Sequence, residues 1–219
     1  MYRIILASES PRRREIMENM GIEYEVMASN VIEVVTETEP AEMVQALAAL
    51  KTRNIAEKLD QNIETNRETT KKSDKEADNK SDKDIIIIGA DTMVFYLEHA
   101  LGKPKDEADA IRILQLLSGH THEVYTGVNI IIKNKNGDVK NLSFAVCTRV
   151  SVQALTLEQI EDYVATGEPL DKAGAYAIQG KFGIYIKEIT GDYYNVVGFP
   201  IAKIYETLLN NGIDIKKIK

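Results

Sequence analysis

The sequence predicts an α/β protein built on one layered core, and three features lead to that class. Ile85-Ile86-Ile87-Ile88 is too stiff and apolar for a surface loop and too short to span a membrane. It reads as a strand covered on both faces. Ile4-Ile5-Leu6-Ala7 gives a second central strand near the start of the chain. Apolar residues also recur at helical spacing around Val44 and Leu47, Ile111 and Leu114, and Ile204 and Leu208. With 219 residues the chain can bury one sizeable core as a single domain, and no internal repeat is evident.

After the first strand, Ser8-Glu9-Ser10 leads into Pro11-Arg12-Arg13-Arg14. Ser10 suits a helix cap and Pro11 the first helical position, where a missing N–H costs nothing. Ile16, Met17 and Met20 give this helix an inner face, and Gly21 ends it. Arginines oppose the dipole at a helix start. Gathered there with hydroxyls and free N–H groups, they suit a polyphosphate, the plainer alternative being solvated arginines on an exposed turn. Ile22, Tyr24 and Val26 alternate as a one-sided strand, and residues 31–39 are acidic and β-branched, with Glu33 among them. Pro40 opens a helix that turns Met43, Val44, Leu47 and Leu50 inward, carries Lys51 and closes at Leu59. Residues 60–83 form a polar insert whose only aliphatic residues are Ile63 and Ala77. With no apolar face to offset ordering, the insert is expected as a mobile loop or a frayed extension of the helix.

The isoleucine strand ends in Gly89-Ala90-Asp91-Thr92, which sets a carboxylate on a rigid support. An Asp that merely begins a turn is the alternative. Residues 93–96 continue extended, Leu97-Glu98-His99-Ala100 turns, and Leu101-Gly102-Lys103-Pro104 brings Lys103 back beside Asp91. Residues 107–117 make an amphipathic helix stopped by Ser118-Gly119-His120. Strands over 128–132 and 142–154 flank a turn at 134–138. Thr156-Leu157-Glu158-Gln159 is a capping box for a helix burying Leu157, Ile160, Tyr163 and Val164, which Thr166-Gly167-Glu168-Pro169 terminates.

The stretch from Asp171-Lys172-Ala173-Gly174 to Ile178-Gln179-Gly180 has little apolar periodicity. Its glycines admit close backbone approach, and Gln179 can pair with a base or orient a water. An ordered turn that needs its glycines is the alternative. Phe182, Ile184 and Ile186 then alternate as a strand, Gly191-Asp192 turns it and residues 193–197 return. Pro200, at the first helical position, opens a final amphipathic helix.

The net charge of −7 weighs against nucleic acid or an anionic membrane as partner, while leaving room for a local phosphate pocket. The single cysteine, Cys147, excludes an intrachain disulfide and a Cys-based zinc cluster, and its alternating surroundings suggest a structural thiol. His99, His120 and His122 are not spaced as a zinc set, and His122 is expected to bond to backbone. No apolar run reaches membrane-spanning length and no signal-peptide pattern opens the chain, so a cytoplasmic location is expected. The dinucleotide, phosphate-loop and nucleophile-elbow glycine motifs are all absent.

Together, Ser8-Glu9-Ser10-Pro11-Arg12-Arg13, Gly89-Ala90-Asp91-Thr92, Gly102-Lys103-Pro104, Ser118-Gly119-His120 and the 171–180 stretch resemble the Maf family of nucleotide pyrophosphatases. The resemblance runs from residue 3 to about 209 with the motifs in the family's order. It implies an elongated, two-lobed α/β protein around a mixed twisted sheet with a central cleft, related to the inosine triphosphate pyrophosphatase fold and often a homodimer. It implies hydrolysis of a nucleoside triphosphate between its α and β phosphates. Gln179 and the segment 171–174 are similar to the dTTP- and UTP-hydrolysing subgroup, which is also associated with modified pyrimidine triphosphates. A role in septum formation comes from the family alone.

By the same resemblance, Asp91, Lys51 and Lys103 are the expected catalytic residues, with Asp91 acting on the water and the lysines neutralising the leaving group. Ser8, Ser10, Arg12, Arg13, Thr92, Asp171, Lys172 and Gln179 are expected to bind the nucleotide. Glu33 and Asp91 are the expected ligands of a divalent cation, magnesium or manganese (Mg2+ or Mn2+). Two alternatives stand beside this expectation: an enzyme of ITP/XTP type, and a nucleotide-binding regulator of division without turnover.

Overall fold

A computed structural model describes residues 2–70 and 83–218. Three long antiparallel strands, β3 (Asp84–Tyr96), β5 (Thr121–Lys133) and β6 (Val139–Val152), form the spine of one mixed sheet. β1 (Tyr2–Leu6) lies parallel to the first part of β3, with Tyr2 opposite Asp84 and Leu6 opposite Ile88. The two-residue β2 (Glu25–Val26) extends this edge in parallel, and β7 (Ile186–Thr190) closes the far edge against β6. β4 (His99–Leu101) folds back on the last part of β3, pairing Val94 with Leu101 and Tyr96 with His99. Leu97 and Glu98 make that hairpin turn with φ of 48° and 64°, the left-handed pair that a two-residue turn requires. From Gly89 to Met93, therefore, one edge of β3 has no strand beside it.

Strand alternation explains how both faces are covered. Ile4, Leu6, Ile86, Ile88 and Ala90 face α1 (Pro11–Asn19) and α6 (Ile201–Leu209), packing with Ile16, Met17, Ile204 and Leu208. Ile5, Ala7 and Ile87 face the opposite way, onto Ile55 and Leu59 of α2 (Pro40–Thr70). Each fully buried aliphatic side chain contributes about 1.5–3 kcal/mol, so the isoleucine run stabilises two layers at once. A separate core lies toward the other end of the spine. There Val94, Val124 and Val150 pack on α3 (Glu107–Leu117) and α4 (Leu157–Val164) through Ile113, Leu114 and Ile160. The strand-free part of β3 lies between this core and the two layers around the isoleucine run.

α2 sits close on the sheet because two glycines clear its path. A Cβ on Gly127 would lie 2.2 Å from the carbonyl carbon and oxygen of Val44, and one on Gly89 would lie 2.6 Å from Thr52 Cγ2. Gly127 pairs directly with Asp91 across the ladder. Gly89, Gly127 and Asp91 thus share the face beneath α2, and this brings Lys51 over the Asp91 carboxylate.

Several elements differ from the expectation. α2 does not end at Leu59 but runs to Thr70, because residues 60–70 contain neither Gly nor Pro and extend a helix already anchored upstream. Of the 60–83 insert, residues 71–82 lie outside the described residues. Residues 31–39 have no regular hydrogen-bonded structure before Pro40. The strand expected from Phe182 begins only at Ile186, and Lys181–Tyr185 is a tight 3-10 turn. Its alternation reflects packing of Phe182 against Tyr163, Tyr176 and Tyr185, with ring centroids 4.9, 5.1 and 5.4 Å apart. The expected return strand at 193–197 is the short helix α5 (Tyr193–Val197), because the Asp192 side chain caps it by accepting from Tyr194 N–H. Pro200 sits one residue earlier than expected, at the capping position of α6. The capping box of α4 is present, although Leu157 is exposed. Cys147 is exposed on β6.

His122 is 1% exposed and pairs with Tyr176 Oη at 2.8 Å through Nε2 rather than with backbone, while its Nδ1 has no partner among the described residues. Burial lowers its pKa to about 4 from the ordinary 6.5. Below pH 6.5 the unfolded chain takes up a proton that the folded chain refuses. This contribution to stability is therefore complete above about pH 6.5 and is lost as the pH falls toward 4. Denaturant unfolding at pH 7 and pH 4.5 is expected to show about 2–3 kcal/mol lost through this group. His122→Gln should lack that part of the slope, and an unchanged slope in the variant would contradict the assignment.

Candidate active site

A cleft of about 1240 Å³ opens along the strand-free stretch of β3. Ser10, Arg12, Arg13, Glu33, Lys51, Asp91, Thr92, Lys103, Asp171, Lys172 and Gln179 all line it. Ser8 is buried just beneath. Residues chosen on separate sequence motifs are thus brought to one place, where β1 ends, β4 has not yet begun and α2 passes overhead.

The centre of the cleft is an ammonium between two carboxylates. Lys51 Nζ contacts Asp91 Oδ1 and lies 3.2 Å from Glu33 Oε1. The Lys51 and Asp91 side chains are only 15% and 13% exposed, whereas Glu33 is half open at 49%. Coulomb attraction is weakly screened at that depth, so this pair holds geometry better than a surface ion pair would.

The two neighbouring arginines part ways. Arg13 donates from Nε to Gly198 O at 2.8 Å, from Nη1 to Ser8 Oγ at 2.9 Å and from Nη2 to Thr92 Oγ1 at 3.3 Å. Burial lowers its pKa from the ordinary value and Asp91 opposes that shift. Its guanidinium therefore braces the end of β1, β3 and the turn before α6, although it also lines the cleft. Arg12 makes no hydrogen bond or ion pair to another described residue and stays available to a ligand. Sequence alone could not separate these roles.

Thr92 points to the face opposite Asp91. Thr126 Oγ1 donates to Asn195 O at 2.8 Å, so the 3.0 Å contact between the two threonine hydroxyls has Thr92 as donor. Arg13, Thr92, Thr126 and Asn195 thus form a directed chain under the cleft. Thr126 and Asn195 are wholly buried members that the sequence did not single out.

On the far wall, Lys172 pairs with its neighbour Asp171, and that hydrogen bond holds the Asp171 carboxyl below its usual range. Gly174 (φ 71°) presses on Val94, where a Cβ would approach Cγ2 to 2.9 Å. Lys103 and Gln179 are exposed on the cleft wall without a hydrogen bond to another described residue. Glu168 also lines the cleft. It was missed because Thr166-Gly167-Glu168-Pro169 reads as a helix terminator. The only signal was a carboxylate between two turn-forming residues.

A cation would find hard oxygen ligands here, because the Glu33 and Asp91 carboxylates already converge on one positive group. Among the described residues no group of three or more His, Cys, Asp and Glu side chains gathers to hold a metal. Two carboxylates still fit Mg2+, which keeps several waters and completes its shell with substrate phosphates.

Comparison with known proteins places the chain among its relatives. The chain is 45% identical over 217 residues to the dTTP/UTP pyrophosphatase of Lachnoclostridium phytofermentans, covering 99% of each chain. It is also 45% identical over 215 residues to the dTTP/UTP pyrophosphatase of Agathobacter rectalis, covering 98% of this chain and 100% of that one. Among solved structures, it is similar to the Staphylococcus aureus Ham1 protein at a TM-score of 0.42 and 17% identity, covering 96% and 100% of the two chains. Residues 3–211 match the family described as Maf-like protein, and with relatives this similar over their whole length the chain belongs to the Maf family.

Proposed function

We propose that this protein hydrolyses dTTP and UTP between the α and β phosphates, releasing the nucleoside monophosphate and pyrophosphate. The observation that carries the reading is Asp91, held on the strand-free stretch of β3 with Lys51 against its carboxylate in a cleft that also presents Arg12, Lys103 and Lys172. The names of full-length relatives at 45% identity support the same substrates.

The chemistry follows from placement. A triphosphate entering the cleft meets the unpaired Arg12 guanidinium, whose planar fork matches phosphate oxygens. Lys51 is within reach of both carboxylates and turns toward the incoming phosphates, neutralising charge together with Lys103 as it shifts onto the leaving pyrophosphate. Water attacks the α phosphorus, its proton passes to Asp91, and the bond to the bridging oxygen breaks with its electron pair leaving on pyrophosphate. A carboxylate is ordinarily a weak base toward water. Mg2+ or Mn2+, when bound, supplies a more acidic water and screens the triphosphate. Glu33 and Asp91 are the residues that would hold it. Gln179 meets the base, and Asp171 and Lys172 form the wall beside it.

Hydrolysis of dTTP, UTP, ITP and XTP measured side by side tests the reading. Turnover of dTTP and UTP at least tenfold above the purine nucleotides is expected on the order of one good hydrogen-bonded discrimination. Preference for ITP or XTP would overturn the pyrimidine assignment. Binding of all four without turnover would leave a nucleotide-binding regulator in its place.

A further inference from the structure

Gln179 stands on a turn whose two ends are held by one phenol–carboxylate pair. Gly180 N–H donates to Ala177 O at 3.1 Å, leaving Ile178 and Gln179 in the middle of the turn. On its near side, Ala177 N–H donates to Tyr163 Oη at 3.2 Å. On its far side, Lys181 N–H donates to Glu168 Oε2 at 3.2 Å. Tyr163 Oη closes the circuit by donating to Glu168 Oε1 at 2.8 Å.

Sterics permit the same arrangement. A Cβ on Gly180 would lie 2.2 Å from Glu168 Oε1, so only glycine lets the carboxylate rest against the turn. The Tyr163 ring is 3% exposed and packs on Phe182, fixing the phenol from behind. Burial together with the Glu168 hydrogen bond raises the Tyr163 pKa, so the phenol keeps the proton it donates. Gly167, at φ 74°, turns the chain out of α4 and carries Glu168 back over Tyr163.

We propose that Tyr163 and Glu168 are positioning residues for base selection: they set the height and orientation of the 177–181 turn and, through it, the amide of Gln179. The inference rests on the cleft being a site for dTTP and UTP, as argued above. Thymine and uracil present a ring N–H between two carbonyl oxygens, and a carboxamide matches one such donor–acceptor edge with two hydrogen bonds. A side chain on a loose turn would make that match with many bases, whereas a turn pinned at both ends presents it at one height and angle. The expected consequence of loosening the pair is lost selectivity, with the phosphate chemistry at Asp91 left in place.

The test is a double-mutant cycle read as the ratio of kcat/KM for dTTP to that for dITP, whose larger base offers the same N–H and carbonyl edge at a different reach. Tyr163→Phe removes the phenol that serves both Ala177 and Glu168, and it is expected to lower the ratio by about tenfold. Gln179→Ala is expected to lower it similarly, and the double variant should match Gln179→Ala alone. Glu168→Gln keeps an acceptor for Lys181 N–H and should retain more of the ratio than Glu168→Ala. Equal losses with both nucleotides in Tyr163→Phe, or effects that multiply in the double variant, would overturn the inference and leave a structural role only. Wild-type protein that fails to hydrolyse dTTP would overturn the substrate reading itself, and the inference with it.

Discussion

Asp91→Asn is expected to lower kcat for dTTP by about 10²–10⁴-fold, the usual contribution of a positioned general base. The amide keeps the shape of the side chain and an oxygen that can accept from Lys51, and Lys51 retains Glu33 at 3.2 Å. Folding should therefore be little affected, and a melting temperature within a few degrees of the parent would confirm it. KM should change less than kcat, because Arg12 and Lys103 still meet the phosphates. A variant with normal kcat and a raised KM would show that Asp91 contributes to binding and takes no proton.

The second large effect is expected far from any substrate atom. Gly127→Ala places a methyl group 2.2 Å from the Val44 carbonyl, and backbone cannot give way as a flexible side chain would. α2 must lift from the sheet, at a cost of about 1–3 kcal/mol or more. Lys51 follows Val44 by about two helical turns, so the same displacement should pull its ammonium off Asp91. Activity is then lost even at temperatures where the variant remains folded. Gly137→Ala is the control: Gly137 lies in the β5–β6 turn at φ 93°, and a Cβ there would meet no atom within 4 Å, so only local backbone strain is added. Equal losses of activity in the two variants would remove the link between α2 seating and the site.

How much of this was legible in the sequence depended on whether the signal was local. The isoleucine run, Pro11 at the start of α1 and the Thr156–Gln159 box each carry their own structural instruction, and the structure follows them. The alternation of Phe182, Ile184 and Ile186 was misleading because Phe182 packs into a ring cluster that only the tertiary fold creates, while Ile184 is exposed. The five residues of α5 were too few for periodicity to separate helix from strand, and the Asp192 cap decided the matter. In the site, charged residues at unusual places could be read: Asp91 at a buried strand and arginines at a helix start. Tyr163 resembled any core residue of an amphipathic helix, and Glu168 any residue of a turn. Their meaning is in a hydrogen bond to each other and to a loop further along the chain. The different duties of Arg12 and Arg13 were hidden for the same reason, since a helix turns about 100° between neighbours and only the surroundings distinguish the two directions.

The glycines make the same point from the opposite side. Gly89 in the β3 motif acts through absence of a side chain, together with Gly127 on the neighbouring strand. The fold thus creates the cleft by leaving space: a helix close enough to lend its lysine, and a strand edge left open from Gly89 to Met93.

Whether Asp91 directs water to the α phosphorus in this cleft is decided by product analysis. With dTTP and Mg2+ in water enriched in oxygen-18, the expected products are dTMP and pyrophosphate, with the label in dTMP. Both products should be lost in Asp91→Asn. Release of dTDP and phosphate, or label appearing in pyrophosphate instead of dTMP, would contradict this mechanism.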